Sequence, residues 1–226
     1  MKNTNVSIVL ITWAPNARRL KLLEQTVQRL RECTYEPYTL IMVDNGPADQ
    51  TAVIRSMDPD VHIVNKVNVG PGAARNQGAA VARTPYVAFV DNDLWFYRDW
   101  LADSLAALRR FPGQIAHPAR SNPMRRSANF IETLADGYER WAMVAGWCWV
   151  MEKATFAEVG DFRTSDVEPV EDREWANRAR NKGHMFIWPP GGFVRHRHGP
   201  KGFPKDQRLI DGQWLPVAKT FQESNP

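Results

Sequence analysis

The chain has 226 residues, of which 43% are hydrophobic and 24% are charged, and its formal net charge is +4. This composition is typical of one globular unit with a buried core and argues against intrinsic disorder. The mildly basic balance favours an anionic ligand but is far from that of a histone-like protein.

The first half of the chain alternates between apolar runs and helical patterns. Continuous apolar runs predict strands at 6–12, 39–43, 61–65 and 86–90. Helical spacing or alanine-rich sequence predicts helices between them at 18–32, 50–57 and 73–82. Such alternation is typical of βαβ units, so we expect an α/β domain whose mostly parallel central sheet carries helices on both faces.

The second half is patterned less regularly. The elements predicted there are a helix at 100–111, a strand at 143–151, a helix at 170–182, a strand at 185–188 and an extended segment at 193–198. Trp147 and Trp149 are two positions apart on the strand at 143–151, so we expect them to share one face. Stacking on a sugar or base is one role for that face, and packing in the core is the other.

The segment Asp91-Asn92-Asp93 directly follows the predicted strand at 86–90. Two carboxylates two positions apart at a strand exit lie within roughly 7 Å of each other. They can address one hard cation, and that cation can bridge a diphosphate. A solvated acidic turn is the alternative interpretation. The position favours the metal site, because ligands of open α/β sheets bind at the carboxyl ends of the strands.

Two more polar segments follow strands of the predicted sheet. Asp44 ends the second strand, where it is either a turn residue or a carboxylate that accepts hydrogen bonds from a nucleobase or ribose. Asn68 and Gly70 belong to a loop that enters a helix, and this loop would let backbone amides and Arg75 approach a phosphate or sugar. The loop matches neither common glycine-rich phosphate-binding pattern.

Two charged clusters lie in the second half. Glu171 and Asp172 open the predicted helix at 170–182, where they either complement the helix dipole or supply a general base. His196 and His198 alternate with arginines on an extended segment, so both histidines lie on one face. Either histidine can be a metal ligand, and a basic surface strand is the alternative.

Cysteine content and hydropathy bear on the cellular compartment. Cys33 and Cys148 are too few and too far apart for a disulfide framework or a zinc knuckle. The apolar run at 6–11 is too short for a signal-peptide core. No stretch approaches the roughly 20 apolar residues that span a bilayer. We therefore expect a cytoplasmic protein and leave a peripheral membrane contact open.

Several short segments occur in a recognisable order. They are VSIVLITW, VDNGPADQT, NVGPGAARNQG, YVAFVDND, AGWCWVMEKATFAEVGDF, VEDREWANRARNKG and VRHRHG. In order and spacing the chain resembles the family 2 glycosyltransferases, a large inverting family with the GT-A fold, over nearly its whole length.

This resemblance implies a single GT-A (Rossmann-like) domain over 1–226. Residues 1–95 would bind the nucleotide sugar, and 96–199 would form an acceptor-side extension that carries the catalytic base. For the tail at 200–226, which carries Lys201 and Lys205, two alternatives stay open: it closes over the donor phosphates as a lid, or it is simply loose. The implied reaction moves a sugar from a nucleotide diphosphate sugar, most often a UDP-sugar in this family, to an acceptor hydroxyl with inversion. The implied cofactor is Mn2+ or Mg2+.

The resemblance also implies roles for individual residues. Asp172 would be the catalytic base, with Glu171 as the second candidate. The implied donor-binding residues are Thr12, Trp13, Asp44, Asn68, Gly70, Arg75 and Asn92. The implied metal ligands are Asp91, Asp93 and one of His196 and His198. The implied acceptor-binding segment is Ala145-Gly146-Trp147.

The chain departs from the family pattern in places. Asn45 stands where the family often has a second acid, and Pro47 replaces a serine of the same turn. Trp13 and Ala14 stand where many relatives carry Tyr and Asn, so we expect different contacts to the base. The transmembrane helices of the family's polysaccharide synthases are absent, so we expect transfer to be non-processive.

Two other classes of protein stay open. A nucleotidylyltransferase would share the acidic metal site and release pyrophosphate, but the glycine-rich activation loop of such enzymes is missing after the first strand. A nucleic-acid- or glycan-binding module would use the basic pI, and its affinity for DNA would fall steeply with salt. We favour an intermediate hypothesis, in which Arg125 and Arg126 help to receive an anionic acceptor such as a modified nucleic acid or a phosphorylated glycan or lipid.

Overall fold

A computed structural model describes residues 4–46, 48–118, 128–164, 171–197, 207–210 and 213–216. The strands are β1 (Val6–Thr12), β2 (Tyr38–Asp44), β3 (Val61–Val64), β4 (Tyr86–Val90), β5 (Leu94–Phe96), β6 (Ile115–Ala116), β7 (Phe130–Thr133), β8 (Glu139–Trp141), β9 (Cys148–Glu152), β10 (Phe186–Trp188), β11 (Val194–His196), β12 (Gln207–Ile210) and β13 (Gln213–Pro216). The helices are α1 (Ala17–Cys33), α2 (Thr51–Ser56), α3 (Gly70–Val81), α4 (Trp100–Arg110), α5 (Lys153–Val159) and α6 (Glu171–Asn181).

One nine-stranded sheet forms the centre of the fold, in the order β3-β2-β1-β4-β9-β6-β10-β8-β7. The strands β3, β2, β1 and β4 run parallel to one another and form its core. β9 lies antiparallel between β4 and β6, and β6 pairs in parallel with β10. The antiparallel strands β8 and β7 complete the far edge. The predicted α/β fold with a mostly parallel central sheet is confirmed.

Helices cover both faces of this sheet, as the sequence alternation predicts. Ile8 and Val9 are adjacent on β1 and fully buried, yet they belong to two separate hydrophobic clusters. The cluster with Ile8 contains the apolar faces of α1 and α4, and the cluster with Val9 contains those of α3, α5 and α6. A Cβ at Gly78 would lie 2.2 Å from Val9 Cγ1, so the close approach of α3 to β1 requires glycine there.

The parallel core brings several strand ends to one edge of the sheet. Thr12 at the end of β1 lies opposite Asp44 at the end of β2. Leu10 of β1 pairs with Val90, the last residue of β4. The loops that follow these three strands therefore gather at the carboxyl edge, where open α/β sheets bind their ligands.

The prediction of one strand from 143 to 151 is wrong at its beginning. β9 starts only at Cys148, so Trp147 lies in the preceding loop and Trp149 lies on the strand. Trp149 is fully buried in the cluster that contains Val9, whereas Trp147 packs against the cluster that contains Ile8. The two tryptophans therefore do not share a face, because the alternation that would align them holds only within a strand.

Several short elements have no counterpart in the sequence prediction. β5, β7, β8 and α5 are too short for a period of two or 3.6 residues to stand out. β5 pairs with β11, and β12 pairs with β13 inside the tail for which a lid is predicted. The lid itself stays a prediction. Within the described ranges, no helix is both long enough and apolar enough to cross a bilayer.

Candidate functional site

A cleft of about 420 Å³ lies at the carboxyl edge of the sheet, between the end of β1 and the start of α6. The predicted site residues that line it are Thr12, Trp13, Asn68, Arg75, Asp91, Asn92, Asp93, Gly146, Trp147, Glu171, Asp172 and His196. Asp44 and Gly70 are predicted donor-binding residues that do not line it. The predicted metal ligand His198 and the predicted acceptor-binding residues Arg125 and Arg126 lie outside the described residues.

Asp91, Asp93 and His196 form one cluster in this cleft. One ligand atom of each residue lies within 4.8 Å of the other two. Nε2 of His196 is 3.0 Å from Oδ1 of Asp93. The β5–β11 pair produces this contact, because it sets His196 opposite Leu94, the residue that follows Asp93. The cluster combines two carboxylates with an imidazole from a distant part of the chain.

Arg19 is a cleft residue that the sequence analysis missed. Its Nη1 lies 3.2 Å from Oδ2 of Asp93, and its backbone N–H donates to the side chain of the N-cap residue Asn16. A signal was present in the sequence, because two adjacent arginines in the first turn of a helix oppose the helix dipole. Cations at that position are favourable when an anionic group faces them, and here Asp93 does.

Arg75 is almost fully buried and touches three parts of the cleft. Its Nη2 donates to Oδ1 of Asp91 at 2.9 Å and to the carbonyl oxygen of Gly146 at 3.1 Å. Its Nη1 donates to Oε1 of Glu171 at 2.9 Å. The guanidinium carbon also lies 5.4 Å from the ring centroid of Phe162. Its predicted role in donor binding stays a prediction.

Asp172 is held by backbone amides. The N–H of Gly146 donates to Oδ2 of Asp172 at 3.0 Å, and the N–H of Arg173 donates to Oδ1 at 2.6 Å. A Cβ at position 146 would lie 2.6 Å from Cβ of Asp172, so only glycine allows this approach. The carboxylate is thereby fixed beside the loop that the family resemblance assigns to the acceptor.

Trp13, Thr12 and Asn92 line another part of the cleft. Trp13 is 47% exposed and lines the cleft, so its ring is available for stacking. Oγ1 of Thr12 is buried and has no hydrogen-bond partner among the described residues. Asn92 fixes the backbone next to them, because its Nδ2 donates to the carbonyl oxygen of Trp13 at 2.9 Å.

Asp44 is engaged beneath this end of the cleft. Its Oδ2 accepts from the hydroxyl of Thr51 at 2.7 Å, and its Oδ1 accepts from the N–H of Gly46 at 3.1 Å. The second contact is the Asx turn that the sequence allows. Asn45 lines the cleft instead, and its Nδ2 donates to Oδ1 of Asn68 at 2.8 Å. In the sequence, Asn45 stands out only because the family often has an acid at that position, and nothing there indicates that it lines the cleft.

Trp147 forms the wall beside the cluster of Asp91, Asp93 and His196. Its ring is parallel to that of His196 at a centroid distance of 5.8 Å, and it meets the ring of His117 edge-on at 4.3 Å. The carbonyl oxygen of Trp147 accepts from the N–H of Asp91 at 3.0 Å. Trp147 is therefore tied to the backbone of the acidic segment as well as to its histidine.

The environment shifts the pKa of three groups in and around the cleft. Burial raises the pKa of Asp91 despite the adjacent Arg75 guanidinium. Burial opposes protonation of His196, but its hydrogen bond to Asp93 and the charges of Asp93 and Asp91 outweigh it, so its pKa is raised. Burial lowers the pKa of His117 to about 4. His117 is therefore neutral at pH 7.

The charge balance of the cleft fits a divalent cation. Among its described lining residues are four carboxylates, on Asp91, Asp93, Glu171 and Asp172, and two guanidinium groups, on Arg19 and Arg75. The four carboxylates outnumber the two guanidinium groups, and this excess of negative charge favours binding of a cation. Carboxylate oxygens suit both Mg2+ and Mn2+, and an imidazole nitrogen favours Mn2+ of the two.

Arg197 belongs to a predicted basic cluster but does not line the cleft. Its guanidinium carbon lies 5.3 Å from the ring centroid of Trp95, and its Nη1 donates to the side chain of Gln25. Its backbone N–H donates to the carbonyl oxygen of Asp93 at 2.9 Å. Arg197 therefore stabilises the backbone of the segment 91–93 from outside the cleft.

Comparison with known proteins gives a family match over most of the chain. The sequence model of Glycosyl transferase family 2 matches residues 7–149. An uncharacterised glycosyltransferase of Rickettsia felis is 24% identical over 141 residues, which are 61% of this chain and 23% of that protein. The amylovoran biosynthesis glycosyltransferase AmsB of Erwinia amylovora is 28% identical over 122 residues, which are 50% of this chain and 39% of that protein. The matched region thus spans well under half of either relative.

Solved structures share the fold. The mannosyltransferase PcManGT of Pyrobaculum calidifontis, in complex with GDP-Man and Mn2+, aligns with a TM-score of 0.67 at 20% identity over 88% of this chain and 58% of that one. GalNAc-T7 with UDP, GalNAc and Mn2+ aligns with a TM-score of 0.65 at 15% identity over 89% of this chain and 46% of that one. Identities this low establish the shared fold, which is that of the GT-A glycosyltransferases.

Proposed function

Because this chain belongs to glycosyl transferase family 2, we propose that it transfers a sugar from a nucleoside diphosphate sugar to an acceptor hydroxyl with inversion at the anomeric carbon. A UDP-sugar is the first candidate donor, and Mn2+ or Mg2+ is the cofactor. The observation that carries the proposal is the cleft itself, in which Asp91, Asp93 and His196 lie within 4.8 Å of one another and Asp172 lines the same space.

The donor set and the net charge of the cleft support a metal at Asp91, Asp93 and His196. Asp91, Asp93 and His196 would hold the ion, and a divalent ion held there would supply positive charge to the departing diphosphate. Two proteins of the same fold also support a metal here, because the mannosyltransferase and GalNAc-T7 structures both contain Mn2+ and a nucleotide ligand. Mn2+ is our first candidate, since one of the three ligands is an imidazole.

The residues around Trp13 are the proposed site of the nucleoside. Stacking on the exposed Trp13 ring buries a base face without requiring a particular base. Oγ1 of Thr12 offers a hydrogen bond that it does not make within the described structure. Asn45 stands where the family often has an acid, and its Nδ2 donates to Oδ1 of Asn68 in the same part of the cleft, so we propose that Asn45 positions Asn68 for the nucleoside.

Asp172 is the proposed general base. It removes the proton of the acceptor hydroxyl while the new C1–O bond forms and the bond to the diphosphate breaks. Its two backbone hydrogen bonds hold the carboxylate in place, which keeps the oxygen and the anomeric carbon in line. Glu171 is the weaker candidate because its Oε1 is paired with buried Arg75.

The proposed division of the chain follows from these roles. Residues 1–95 supply the nucleoside side and both metal carboxylates, and 96–199 supply the histidine ligand, the base and the loop with Gly146 and Trp147. We propose that the acceptor enters over Trp147, whose ring provides a flat surface for a sugar. An anionic acceptor received by Arg125 and Arg126 stays part of the proposal, and equal transfer to neutral acceptors would contradict that part.

A thermal-shift screen tests the donor site. The protein is heated with UDP, GDP, dTDP or CDP, each with and without Mn2+. We expect one nucleotide to raise the melting temperature only when Mn2+ is present, because binding to the native state alone stabilises it. The shift should vanish in Asp93→Ala and persist in Asp161→Ala, which changes an exposed aspartate.

Two results would contradict the proposal. Stabilisation by a nucleotide without metal dependence would exclude the proposed cofactor role. No stabilisation by any nucleotide would exclude a nucleoside diphosphate donor, and salt-dependent binding to nucleic acid should then be measured. Inversion has its own test, since hydrolysis of an α-linked donor should first release the β-anomer, as observed by NMR before mutarotation.

A further inference from the structure

Arg75 joins the two sides of the cleft. One of its terminal nitrogens, Nη2, contacts Asp91, a proposed metal ligand. The other, Nη1, contacts Glu171 at the start of α6. The side chain is 4% exposed. Contacts to Asp91, Glu171 and the carbonyl oxygen of Gly146 occupy three of the five N–H donors of the guanidinium. Nε is buried and makes no hydrogen bond among the described residues, and both terminal nitrogens are already bound to the protein, so no terminal nitrogen is wholly available to a phosphate or sugar.

The same guanidinium is one peptide unit away from the proposed base. The carbonyl of Gly146 accepts from Arg75, and the N–H of Gly146 donates to Asp172. A second route runs through the chain, because Glu171 directly precedes Asp172. Two independent connections of this kind fix the carboxylate of Asp172 relative to Arg75, and hence relative to Asp91.

We infer that Arg75 is a positioning residue, which holds the base Asp172 at a fixed distance from the metal carboxylate Asp91, and that it is not a ligand of the donor. This inference rests on the proposed function, since it assigns Arg75 a role in that reaction. It differs from the expectation from family resemblance, in which Arg75 binds the donor. It also gives Glu171 a role as the anchor of Arg75.

Lysine is the informative replacement. Arg75→Lys keeps the positive charge between Asp91 and Glu171, but one ammonium group cannot reproduce the planar fork that reaches both carboxylates and a carbonyl. Glu171→Gln tests the other end of the bridge, because it removes the charge from the anchor and preserves its size. Arg83→Lys is the matched control, since Arg83 is exposed and follows the same helix.

The experiment compares four quantities in the full-length variants. They are the melting temperature, the Kd for the nucleoside diphosphate that stabilises the parent protein with Mn2+, and the kcat and KM for hydrolysis of the corresponding nucleotide sugar. Water takes the place of the acceptor hydroxyl in this hydrolysis, so the step still requires the base. No knowledge of the natural acceptor is needed.

We expect Arg75→Lys to lower kcat about 100-fold, which is the effect of a misplacement on the order of 1 Å. The nucleotide Kd and the KM should stay within about threefold of the parent values, because ground-state binding is not affected. Glu171→Gln should also lower kcat. The double variant should be no slower than Arg75→Lys alone, since both changes disrupt the same contact between Arg75 and Glu171. Arg83→Lys should match the parent.

Three results would overturn the inference. One is a loss of nucleotide affinity of about tenfold or more in Arg75→Lys, which would make Arg75 a donor ligand. Another is a parental kcat in a folded Arg75→Lys protein. The third is a full multiplication of the two single effects in the double variant, which would make Glu171 an independent base. If Arg75→Lys does not fold, Glu171→Gln decides alone, and a parental kcat there contradicts the bridge. Failure of the proposed function is seen separately, because the parent would then neither bind a nucleotide nor hydrolyse a nucleotide sugar.

Discussion

The carboxylates of Asp91 and Asp93 and the carboxylate of Asp172 are held by different kinds of partner. On the donor side, Asp91 and Asp93 face charged or chargeable side chains, namely Arg75, Arg19 and His196. On the acceptor side, Asp172 accepts hydrogen bonds from two backbone N–H groups. The difference lies in what each partner can do when a ligand arrives.

A partly exposed side-chain partner can rotate away, and a backbone partner cannot do so without a change of fold. Arg19 can leave Asp93 and His196 can lose a proton, so Asp93 can exchange either partner for a metal ion. Asp91 stays paired with buried Arg75. The proposed base Asp172 is oriented by backbone dipoles that would stay in place throughout the reaction, as expected of a preorganised site. Variants of each kind of partner should consequently produce different defects.

Removal of the base itself should have the largest effect. We expect Asp172→Asn to lower the rate of nucleoside diphosphate release from the nucleotide sugar by about 1,000-fold, since the contribution of a positioned base is on that order. The nucleotide Kd with Mn2+ should not change. Asp161→Asn, at an exposed position, is the matched control. A parental rate in Asp172→Asn would remove Asp172 from the mechanism.

A change in the backbone partner should come next. In Gly146→Ala the new Cβ would meet Asp172 at 2.6 Å, so the carboxylate must shift. We expect kcat to fall about 10- to 100-fold with little change in Mn2+ affinity. Gly46→Ala is the control, because its Cβ would approach no neighbouring heavy atom closer than 3.5 Å. If Mn2+ binding fell instead of kcat, the proposed separation of the two sides would be incorrect.

The histidine partner should make metal binding depend on pH. A metal ion binds the neutral imidazole, whereas the pKa of His196 is raised by Asp93 and Asp91 against the opposing effect of burial. Protons therefore compete with the metal below that raised pKa. We expect Mn2+ affinity, measured by calorimetry between about pH 6 and 8, to rise with pH by up to about tenfold per unit. An affinity that is constant over this range would argue against His196 as a ligand.

The arginine partner on the donor side should give the smallest effect. Arg19→Gln removes a partly exposed ion pair, so the free energy of unfolding should change by less than about 1 kcal/mol. Mn2+ affinity should rise about threefold, because Asp93 loses a competing cation. Arg18→Gln, at the exposed neighbouring position, is the control. A lower Mn2+ affinity in Arg19→Gln alone would show that Arg19 supports the metal site instead of competing with it.

The donor half of the fold was predictable because its signals are long and local. The runs that become β1 and β4 are continuous and apolar, since both faces of these strands are buried. The strand β5 has three residues, and its existence depends on pairing with β11 in a distant part of the chain. Local patterns contain no information about such a partner, so most of the acceptor half could be predicted only in part.

Some site residues could likewise be predicted from local sequence motifs, whereas others depend on contacts between distant parts of the chain. Asp91, Asp93 and Asp172 stand in motifs whose order along the chain indicates their roles, and all three line the cleft. Arg19 belongs to no motif, and it reaches Asp93 only because α1 begins beside the end of β1. The pairing of Arg75 with Glu171 is also a matter of tertiary structure, since an arginine in a loop-to-helix motif reads equally well as a phosphate ligand.

The pairing of β5 with β11 has a consequence for synthesis of the protein on the ribosome. The two carboxylates of the metal-type cluster emerge early, whereas His196 follows about 100 residues later and must close a loop of that length. Domains synthesised from the N-terminus fold as the chain appears. A nascent chain therefore has the proposed nucleoside side and both aspartates long before it has Asp172 or the third ligand, so it should not consume donor until His196 has emerged.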